Sequence, residues 1–280
     1  MHQLVNRIYR SFLFVPVLTQ KFIEKAAYSS ADAVILDLEA SIPIAQKAQA
    51  RGGLAQAAVF LKESGQTVFC RINTGDLDDV TAVADCDMTG IVVPLVESPK
   101  QLAAVADKLK SEGSSTRIFP IIESPLGLYN LRDILSLDLE VGGFMFGTED
   151  FVLGMGSRAL PCRETLFNAA WQVAYSARAY GIAPYGLAGS LADFKDMEAF
   201  TALCNEARSM GFVGCPAIHP AQVEVLHQVF TPSQQEMDNA KEAIAAFEAA
   251  GEKAISVNGR MVDYPIYYRL KMLLEEYAGV

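Results

Sequence analysis

Eight short apolar segments alternate with stretches of helical periodicity, and this alternation limits the fold of the 280-residue chain more than any other feature. The segments are, in order, SFLFVPV, AVILDLE, TVFCRIN, GIVVPLV, RIFPIIE, GGFMFGTE, IAPYGLA and CPAIHP. Their apolar residues run continuously, which is typical of parallel strands that are buried on both faces. Eight β/α units in a chain of this length predict a closed (β/α)₈ TIM barrel. An open doubly wound sheet is the alternative.

Helical spacing of apolar residues occurs between these segments, for example in TQKFIEKAAY, SPKQLAAVADKLKSE and LFNAAWQVAYSARAY. After the eighth segment the pattern changes. A helix is predicted over SQQEMDNAKEAIAAFEAA, a strand and turn over AISVNGRM, and a final helix over PIYYRLKMLLEEY. We therefore expect residues 1–230 to form a catalytic barrel and residues 231–280 to form a C-terminal helical extension.

Charge and composition exclude several classes of function. A net charge of −10 with scattered basic residues disfavours binding to nucleic acid or to an anionic membrane. No apolar run reaches the roughly 18 residues that a membrane span needs, and MHQLVNRIYR lacks the order of a secretion signal. Five cysteines without C-x-x-C spacing indicate reduced thiols. We expect a cytoplasmic protein.

Charged and polar side chains stand where the predicted strands end, which is where active sites of this barrel lie. They are Asp37 and Glu39 on the second strand, Arg71 and Asn73 on the third, Glu123 on the fifth, and Glu149 with Asp150 on the sixth. Crowded carboxylates repel one another unless a cation lies among them. Oxygen ligands without a histidine or cysteine cluster favour Mg²⁺.

Other chemistries fit less well. GMGSRA, from Gly154 to Ala159, imitates a dinucleotide fingerprint but does not follow a strand directly, so we interpret it as a turn near bound substrate. No lysine stands at a strand end, which argues against a Schiff base. Three scattered histidines argue against zinc. His219 closes the last strand, and a structural role is favoured there over that of a base.

Nine motifs resemble, in order, those of the citrate lyase beta-subunit-like, or HpcH/HpaI-type, CoA-thioester lyases. They are RSFLFVP, ADAVILDLEA, CRIN, GIVVPLVES, IIESPLG, FGTEDF, AIHPAQV, FTPS and NGRMVDYP, and they extend from residue 10 to about residue 270. The resemblance implies a metal-dependent barrel, usually a homo-oligomer, that cleaves or forms a carbon–carbon bond beside an acyl-CoA thioester.

The resemblance also implies roles for individual residues. Glu123 and Asp150 correspond to Mg²⁺ ligands, and Arg71 to the residue that stabilises the thioester enolate. Asp263 corresponds to an acid supplied across a subunit interface in a trimer or larger assembly; from the residues alone it is an N-cap for the final helix. We further expect Glu39 to take part in catalysis. Substrate contacts are expected from Asp37, Gly147, Thr148, Glu149 and Lys21.

The chain departs from the family pattern at three places. Ala40 replaces the last acid of L-D-L-E-D, Leu95 replaces the lysine of V-P-K, and VPVLTQK lacks an arginine that meets CoA phosphates, for which Lys21 or Lys25 is the candidate substitute. The expected substrate is citramalyl-CoA, ahead of malyl-CoA and citryl thioesters. The alternatives are a citrate lyase beta-type subunit acting on an acyl-carrier thioester and a non-catalytic barrel that binds acyl-CoA.

Overall fold

Eight parallel strands close into a barrel in the computed structural model, which describes residues 7–158 and 160–277. The strands are β1 Ser11–Pro16, β2 Ala33–Asp37, β3 Val68–Arg71, β4 Gly90–Val93, β5 Arg117–Ile122, β6 Phe144–Phe146, β7 Pro184–Tyr185 and β8 Cys215–Ala217. Each lies within a segment that the sequence predicts as a strand. Their order in the sheet is β7-β6-β5-β4-β3-β2-β1-β8.

The two outer strands of this order meet and close the ring. A parallel bridge joins Tyr185 to Gly214, and the N–H of Gly186 donates to the carbonyl of Gly214 at 2.9 Å. At the other end of the short strand β7, the N–H of Val213 donates to the carbonyl of Pro184 at 3.0 Å. The (β/α)₈ prediction is therefore confirmed, and the open doubly wound sheet is wrong.

Helices surround the barrel and also follow it. They are α1 Gln20–Ala26, α2 Lys47–Glu63, α3 Leu77–Asp85, α4 Pro99–Ser111, α5 Pro125–Tyr129, α6 Leu131–Leu135, α7 Thr148–Gly154, α8 Arg163–Ala179, α9 Met197–Met210, α10 Pro220–Phe230, α11 Gln234–Ala249 and α12 Tyr264–Glu276. In the described part of the chain, none of them has the length and apolar character needed to cross a bilayer.

Aromatic rings fill the amino-terminal half of the barrel interior. Phe12 and Phe69, each the second residue of its strand, meet edge to face with centroids 5.4 Å apart. Phe119 lies 4.9 Å from Phe69, and Tyr185 lies 4.9 Å from Phe12. Such tilted contacts are the favoured geometry for aromatic pairs. Because these rings occupy the lower half, the polar residues gather at the carboxyl ends of the strands.

The segment after α10 forms a small unit of its own. Between α11 and α12 the chain makes an antiparallel hairpin, β9 Ile255–Val257 and β10 Arg260–Val262, where the sequence predicts one strand and a turn. Phe247, Val262 and Tyr267 are buried in its core. Both strands of the hairpin are only three residues long, which explains why apolar periodicity resolves just one of them.

Two ion pairs attach this unit to the amino-terminal end of the barrel. Arg178, in the last turn of α8, donates to Glu276 at 3.1 Å, and Arg208, in the last turn of α9, donates to Glu236 at 3.0 Å. Asp263 opens α12, and its Oδ1 accepts from the N–H of Ile266 at 3.2 Å. The predicted cap is confirmed. A helix of 13 residues places Asp263 about 20 Å from the Glu276 end.

The packing at Gly90 leads to a stability prediction. A Cβ added there would lie 2.2 Å from the Phe69 ring and 3.1 Å from the Phe119 ring. We expect Gly90→Ala to lower the free energy of unfolding by about 1–3 kcal/mol, because the filled interior cannot accept a methyl group. Chemical denaturation measures this change.

Gly52→Ala is the matched control. Gly52 lies within α2, and a Cβ there would have no atom within 4 Å. We expect this variant to gain about 0.5–1 kcal/mol, because alanine is the better helix former. Equal effects at the two positions would contradict the account of the barrel interior.

Candidate active site

A cavity of about 610 Å³ opens at the carboxyl ends of the strands. Its wall is mostly apolar, with Phe14, Ile121, Met145, Leu191 and Ile218 among the lining residues. The polar lining comprises Lys25, Asp37, Ser41, Arg71, Glu123, Thr148, Glu149, Asp150 and His219. The barrel therefore brings most of the predicted site residues into one chamber, as expected for strand ends that converge on one axis.

Arg71 is held rigidly by Asp37, its neighbour across β3 and β2. Nε donates to Oδ1 at 2.7 Å and Nη2 donates to Oδ2 at 2.9 Å, which is the bidentate geometry that a guanidinium and a carboxylate favour. The guanidinium also lies 4.6 Å from the centre of the Phe14 ring. Burial acts to lower the pKa of Arg71, but the hydrogen bonds to Asp37, together with the negative charges of Asp37 and the acids nearby, raise the pKa above its ordinary value.

Asp37 is almost fully buried and uses both oxygens within the protein. Besides Arg71, it accepts from the N–H of Glu39 and the N–H of Ser41, each at 3.0 Å. Burial acts to raise the pKa of Asp37, yet the hydrogen bonds and charge of Arg71 hold it below the usual value. With these four bonds, Asp37 has the contacts of a residue that orients Arg71.

The segment after β2 is clamped from a second side by Lys47, which the sequence analysis missed. Its Nζ donates to the carbonyls of Leu38 at 2.9 Å and of Glu39 at 2.6 Å. Glu39 lies outside the described cavity lining, but its Oε2 is 3.2 Å from Nη1 of Arg71. The only signal for Lys47 is a cation at the start of α2, where the helix dipole disfavours it.

Asn73 does not join this group. Its side chain donates to Asp79 at 2.7 Å and its backbone N–H to the same carboxylate at 2.9 Å, on the first turns of α3. Polar residues at a strand end therefore serve two purposes: some line the cavity, and others, such as Asn73, bond to the start of the next helix.

Glu123, directly after β5, is a buried carboxylate without a strong ion pair. Burial raises its pKa to about 7, and the nearby charge of Asp150 adds to the increase. The N–H of Leu95 donates to Oε1 at 2.8 Å, which acts in the opposite direction. The charge of Arg71 also acts to lower this pKa, but among the described residues no cation forms a direct ion pair with Glu123, and a bound cation would supply one.

Glu149 and Asp150 follow a different local course from the one predicted. The strand β6 ends at Phe146, and both acids lie in the first turn of α7, where the helix dipole stabilises negative charge. Both are exposed toward the cavity, whereas Thr148 is buried. Glu149 accepts a hydrogen bond from Ser190 in the loop after β7.

Gly147 allows α7 and Glu123 to approach each other. A Cβ at this position would lie 2.5 Å from Oε2 and 2.6 Å from Cβ of Glu123. Its backbone, at φ −97° and ψ 121°, is one that any residue adopts. Space next to the carboxylate, and not backbone conformation, therefore requires the glycine.

Glu123 and Asp150 fit a hard cation better than a soft one. In residues 7–158 and 160–277, no group of three histidine, cysteine or acidic side chains is arranged to hold a metal. Two carboxylates at one edge of a water-accessible cavity match Mg²⁺, which keeps several waters or substrate oxygens among its ligands. The donor set thus suits Mg²⁺ and does not suit a structural zinc ion.

Three residues or segments singled out by the sequence lie away from the chamber. Lys21 is exposed on α1 and does not line the cavity, whereas Lys25, one turn later, does. Residues 154–158, the described part of GMGSRA, are also absent from the lining, and Ala159 is outside the described residues. Asp263 belongs to the separate C-terminal unit and is not among the described lining residues.

Comparisons with known proteins identify relatives that match over nearly the whole chain. A citrate lyase subunit beta-like protein of Deinococcus radiodurans is 32% identical over 279 residues, covering 96% of this chain and 97% of that protein. A (3S)-malyl-CoA thioesterase of Cereibacter sphaeroides is 32% identical over 262 residues, covering 91% and 90%.

A solved structure of the citrate lyase beta subunit from Mycobacterium tuberculosis, complexed with oxaloacetate and magnesium, superposes with a TM-score of 0.68. It is 25% identical and covers 80% of this chain and 98% of its own. The family model described as HpcH/HpaI aldolase/citrate lyase matches residues 10–220, so the chain belongs to the HpcH/HpaI aldolase/citrate lyase family.

Proposed function

We propose that this protein is a Mg²⁺-dependent lyase that cleaves the carbon–carbon bond of a 3-hydroxyacyl-CoA with a carboxylate on C3. Our first choice of substrate is citramalyl-CoA, which gives acetyl-CoA and pyruvate. The observation that carries the proposal is the Arg71 guanidinium, held by buried Asp37 in the same chamber as Glu123 and Asp150. A fixed cation in the same cavity as a pair of carboxylates suits a reaction in which negative charge moves from one end of the substrate to the other.

The bond changes place the charge at Arg71. The C3 hydroxyl loses its proton, its electrons form the keto group of pyruvate, and the C2–C3 bond breaks. The bonding electrons move to the thioester as an enolate, whose oxygen accepts hydrogen bonds from the guanidinium. Protonation of the enolate carbon then yields acetyl-CoA. Asp37 stabilises this step indirectly, because it keeps the guanidinium oriented.

Glu123 and Asp150 would hold Mg²⁺ in the same chamber as Arg71. When bound, the ion supplies Lewis-acid polarisation of the hydroxyl and carboxylate oxygens at the C3 end. The relative from Mycobacterium tuberculosis, solved with oxaloacetate and magnesium, supports this assignment. Leu95 and Gly147 position Glu123 for the task, one through a hydrogen bond and the other by leaving room.

Asp263 is our candidate for the acid that protonates the enolate carbon, acting in the chamber of a neighbouring subunit. Its own unit is attached by Arg178 and Arg208 at the end of the barrel opposite the cavity. Its carboxylate is separated from that attachment by the length of α12. This geometry supports delivery to a second copy of the chain in a trimer or larger homo-oligomer.

Malyl-CoA is the second candidate substrate, and the relative named (3S)-malyl-CoA thioesterase supports it. Ala40 favours citramalyl-CoA, because it lines the cavity with an apolar methyl group where the family commonly has an acid. An extra methyl group in an apolar site is worth about 1–3 kcal/mol, so both substrates can react at different rates. Citryl thioesters, including those on an acyl carrier, are the third class of candidate substrate.

The direct test uses the purified chain with Mg²⁺ and each of citramalyl-, malyl- and citryl-CoA, while keto acid and free thiol are measured separately. Keto acid without free thiol supports the lyase. Free thiol without keto acid identifies thioester hydrolysis instead. Binding of the thioesters with neither product identifies a non-catalytic acyl-CoA-binding barrel.

The metal assignment predicts the effect of two substitutions. Glu123→Gln removes a ligand charge, and Gly147→Ala places a methyl group against the carboxylate. Each should lower Mg²⁺-dependent turnover by about two orders of magnitude or more and weaken Mg²⁺ binding measured by calorimetry. Asp150→Ala should behave in the same way. Glu149→Gln is the control beside it, and its Mg²⁺ affinity should stay close to that of the wild type.

The role of Arg71 predicts a loss in kcat. Arg71→Lys replaces a planar fork with a point charge and should lower kcat about 10²–10³-fold while KM changes little. Asp37→Asn keeps the size of the side chain but loses two charge-assisted bonds, so it should show the same pattern to a smaller degree. A change in KM alone would indicate that Arg71 binds CoA and does not stabilise the enolate.

The role of Asp263 predicts complementation between two inactive variants. Asp263→Asn keeps a good N-cap, so the free energy of unfolding should change by less than about 0.5 kcal/mol while turnover is lost. Asp150→Ala chains are inactive for a different reason. When the two are mixed under verified subunit exchange, activity should partly return, because some chambers pair an intact barrel with an intact Asp263. No recovery after exchange would confine Asp263 to its own chain or to capping.

A further inference from the structure

The two ring nitrogens of His219 have different surroundings, because Nδ1 bonds within the protein while the residue also lines the cavity. It follows β8, acts as the N-cap of α10 and is half-buried in the cavity lining. Its Nδ1 accepts the N–H of Ala221 at 3.1 Å. A ring nitrogen that accepts carries no proton, so in the neutral imidazole the proton resides on Nε2 and makes it a donor.

The imidazole ring is held in one orientation. Phe194 stacks on it with centroids 4.8 Å apart and an interplanar angle of 12°. The backbone N–H of His219 donates to Oε1 of Gln222 at 3.1 Å. Gln222 is fully buried, and it also accepts from Ile218 at 2.9 Å and donates to the carbonyl of Leu191 at 3.0 Å. A ring held in place by stacking and by backbone hydrogen bonds is preorganised to bind a ligand.

Nε2 has no hydrogen-bond partner among residues 7–158 and 160–277. The charges around it select the kind of ligand. Because β8 pairs with β1, His219 shares its side of the chamber with Lys25, and it stands at the positive end of the eleven-residue helix α10. The carboxylates of Glu123 and Asp150 follow β5 and β6, elsewhere on the rim. Loops after the last two strands of such barrels frequently bind phosphate groups.

We propose that Nε2–H of His219 donates a hydrogen bond to an acceptor oxygen in the CoA portion of the thioester, and not to the reacting acyl group. This inference rests on the proposed function, because it takes the ligand to be a CoA thioester. His219 is then a binding residue: Nδ1 accepts the capping hydrogen bond of α10, and Nε2 donates to the ligand.

Two substitutions separate these two roles. His219→Asn keeps an acceptor at the N-cap, where asparagine ranks among the best residues, but its side chain is too short to reach the position of Nε2. His219→Gln has an amide that extends to about that position and can donate. Asp196→Ala is the control for the loss of a cap, since Asp196 caps α9 through the N–H of Ala199 at 2.9 Å and does not line the cavity.

The experiment titrates free CoA into each protein in the presence of Mg²⁺ by calorimetry, with pyruvate as the second probe. His219→Asn should weaken CoA binding roughly tenfold, which is the usual value of one hydrogen bond to a ligand, and should leave pyruvate binding unchanged. His219→Gln should restore most of the affinity. Asp196→Ala should bind CoA like the wild type even if its Tm falls.

Several results would overturn the inference: unchanged CoA affinity in His219→Asn, loss for pyruvate as well as CoA, or no recovery in His219→Gln. If His219→Asn lowers Tm, His219→Ser is measured in its place, because serine is also a good N-cap but its side chain is too short to reach the position of Nε2. If the wild-type protein binds CoA but forms no keto acid, the lyase proposal is wrong. The CoA titrations would still decide the role of His219. Wild-type protein that fails to bind CoA would overturn both.

Discussion

Closure of the sheet between β7 and β8 is the constraint on which the chamber depends. These strands are short, and Gly214 stands at their junction, where it bridges to Tyr185. A Cβ at Gly214 would lie 2.1 Å from the carbonyl oxygen of Tyr9, just before the neighbouring strand β1, so the backbones on that side also approach closely. Once the ring is closed, the ends of β2, β3, β5 and β6 surround one axis. Side chains that are more than 100 residues apart in the chain, such as Asp37 and Asp150, then share one cavity.

Within this chamber, two buried carboxylates have opposite electrostatic environments. Asp37 is paired with a guanidinium and accepts backbone hydrogen bonds, so its charge is fully compensated. Glu123 is also buried but accepts from one N–H donor among residues 7–158 and 160–277, and burial raises its pKa to about 7. One carboxylate therefore completes the protein's own structure, whereas the other leaves a demand for positive charge that a ligand can meet. This contrast is the main electrostatic reason to assign them different tasks.

Much of this arrangement could be predicted from the sequence, because continuous apolar runs reveal buried parallel strands and their ends reveal a shared rim. The pattern could not show that Asp37 turns inward to Arg71, that Asn73 serves α3, or that Lys25 lines the cavity while Lys21 does not. Those outcomes depend on the rotation of short helices and on hydrogen bonds between distant segments. The clamps made by Lys47 and Gln222 are equally hidden, since each acts on backbone groups that have no sequence signature.

Leu95 illustrates how such backbone contacts affect the freedom of a site to change. Its φ of 48° lies in the left-handed region, which costs a residue with a Cβ about 1–2 kcal/mol, yet that conformation accompanies an N–H that bonds Glu123. The interaction belongs to the main chain and is therefore indifferent to the side chain attached. A change of side chain that keeps this backbone conformation therefore leaves the bond to the carboxylate in place. The backbone of position 95 is thus committed to the site, whereas its side chain does not line the cavity.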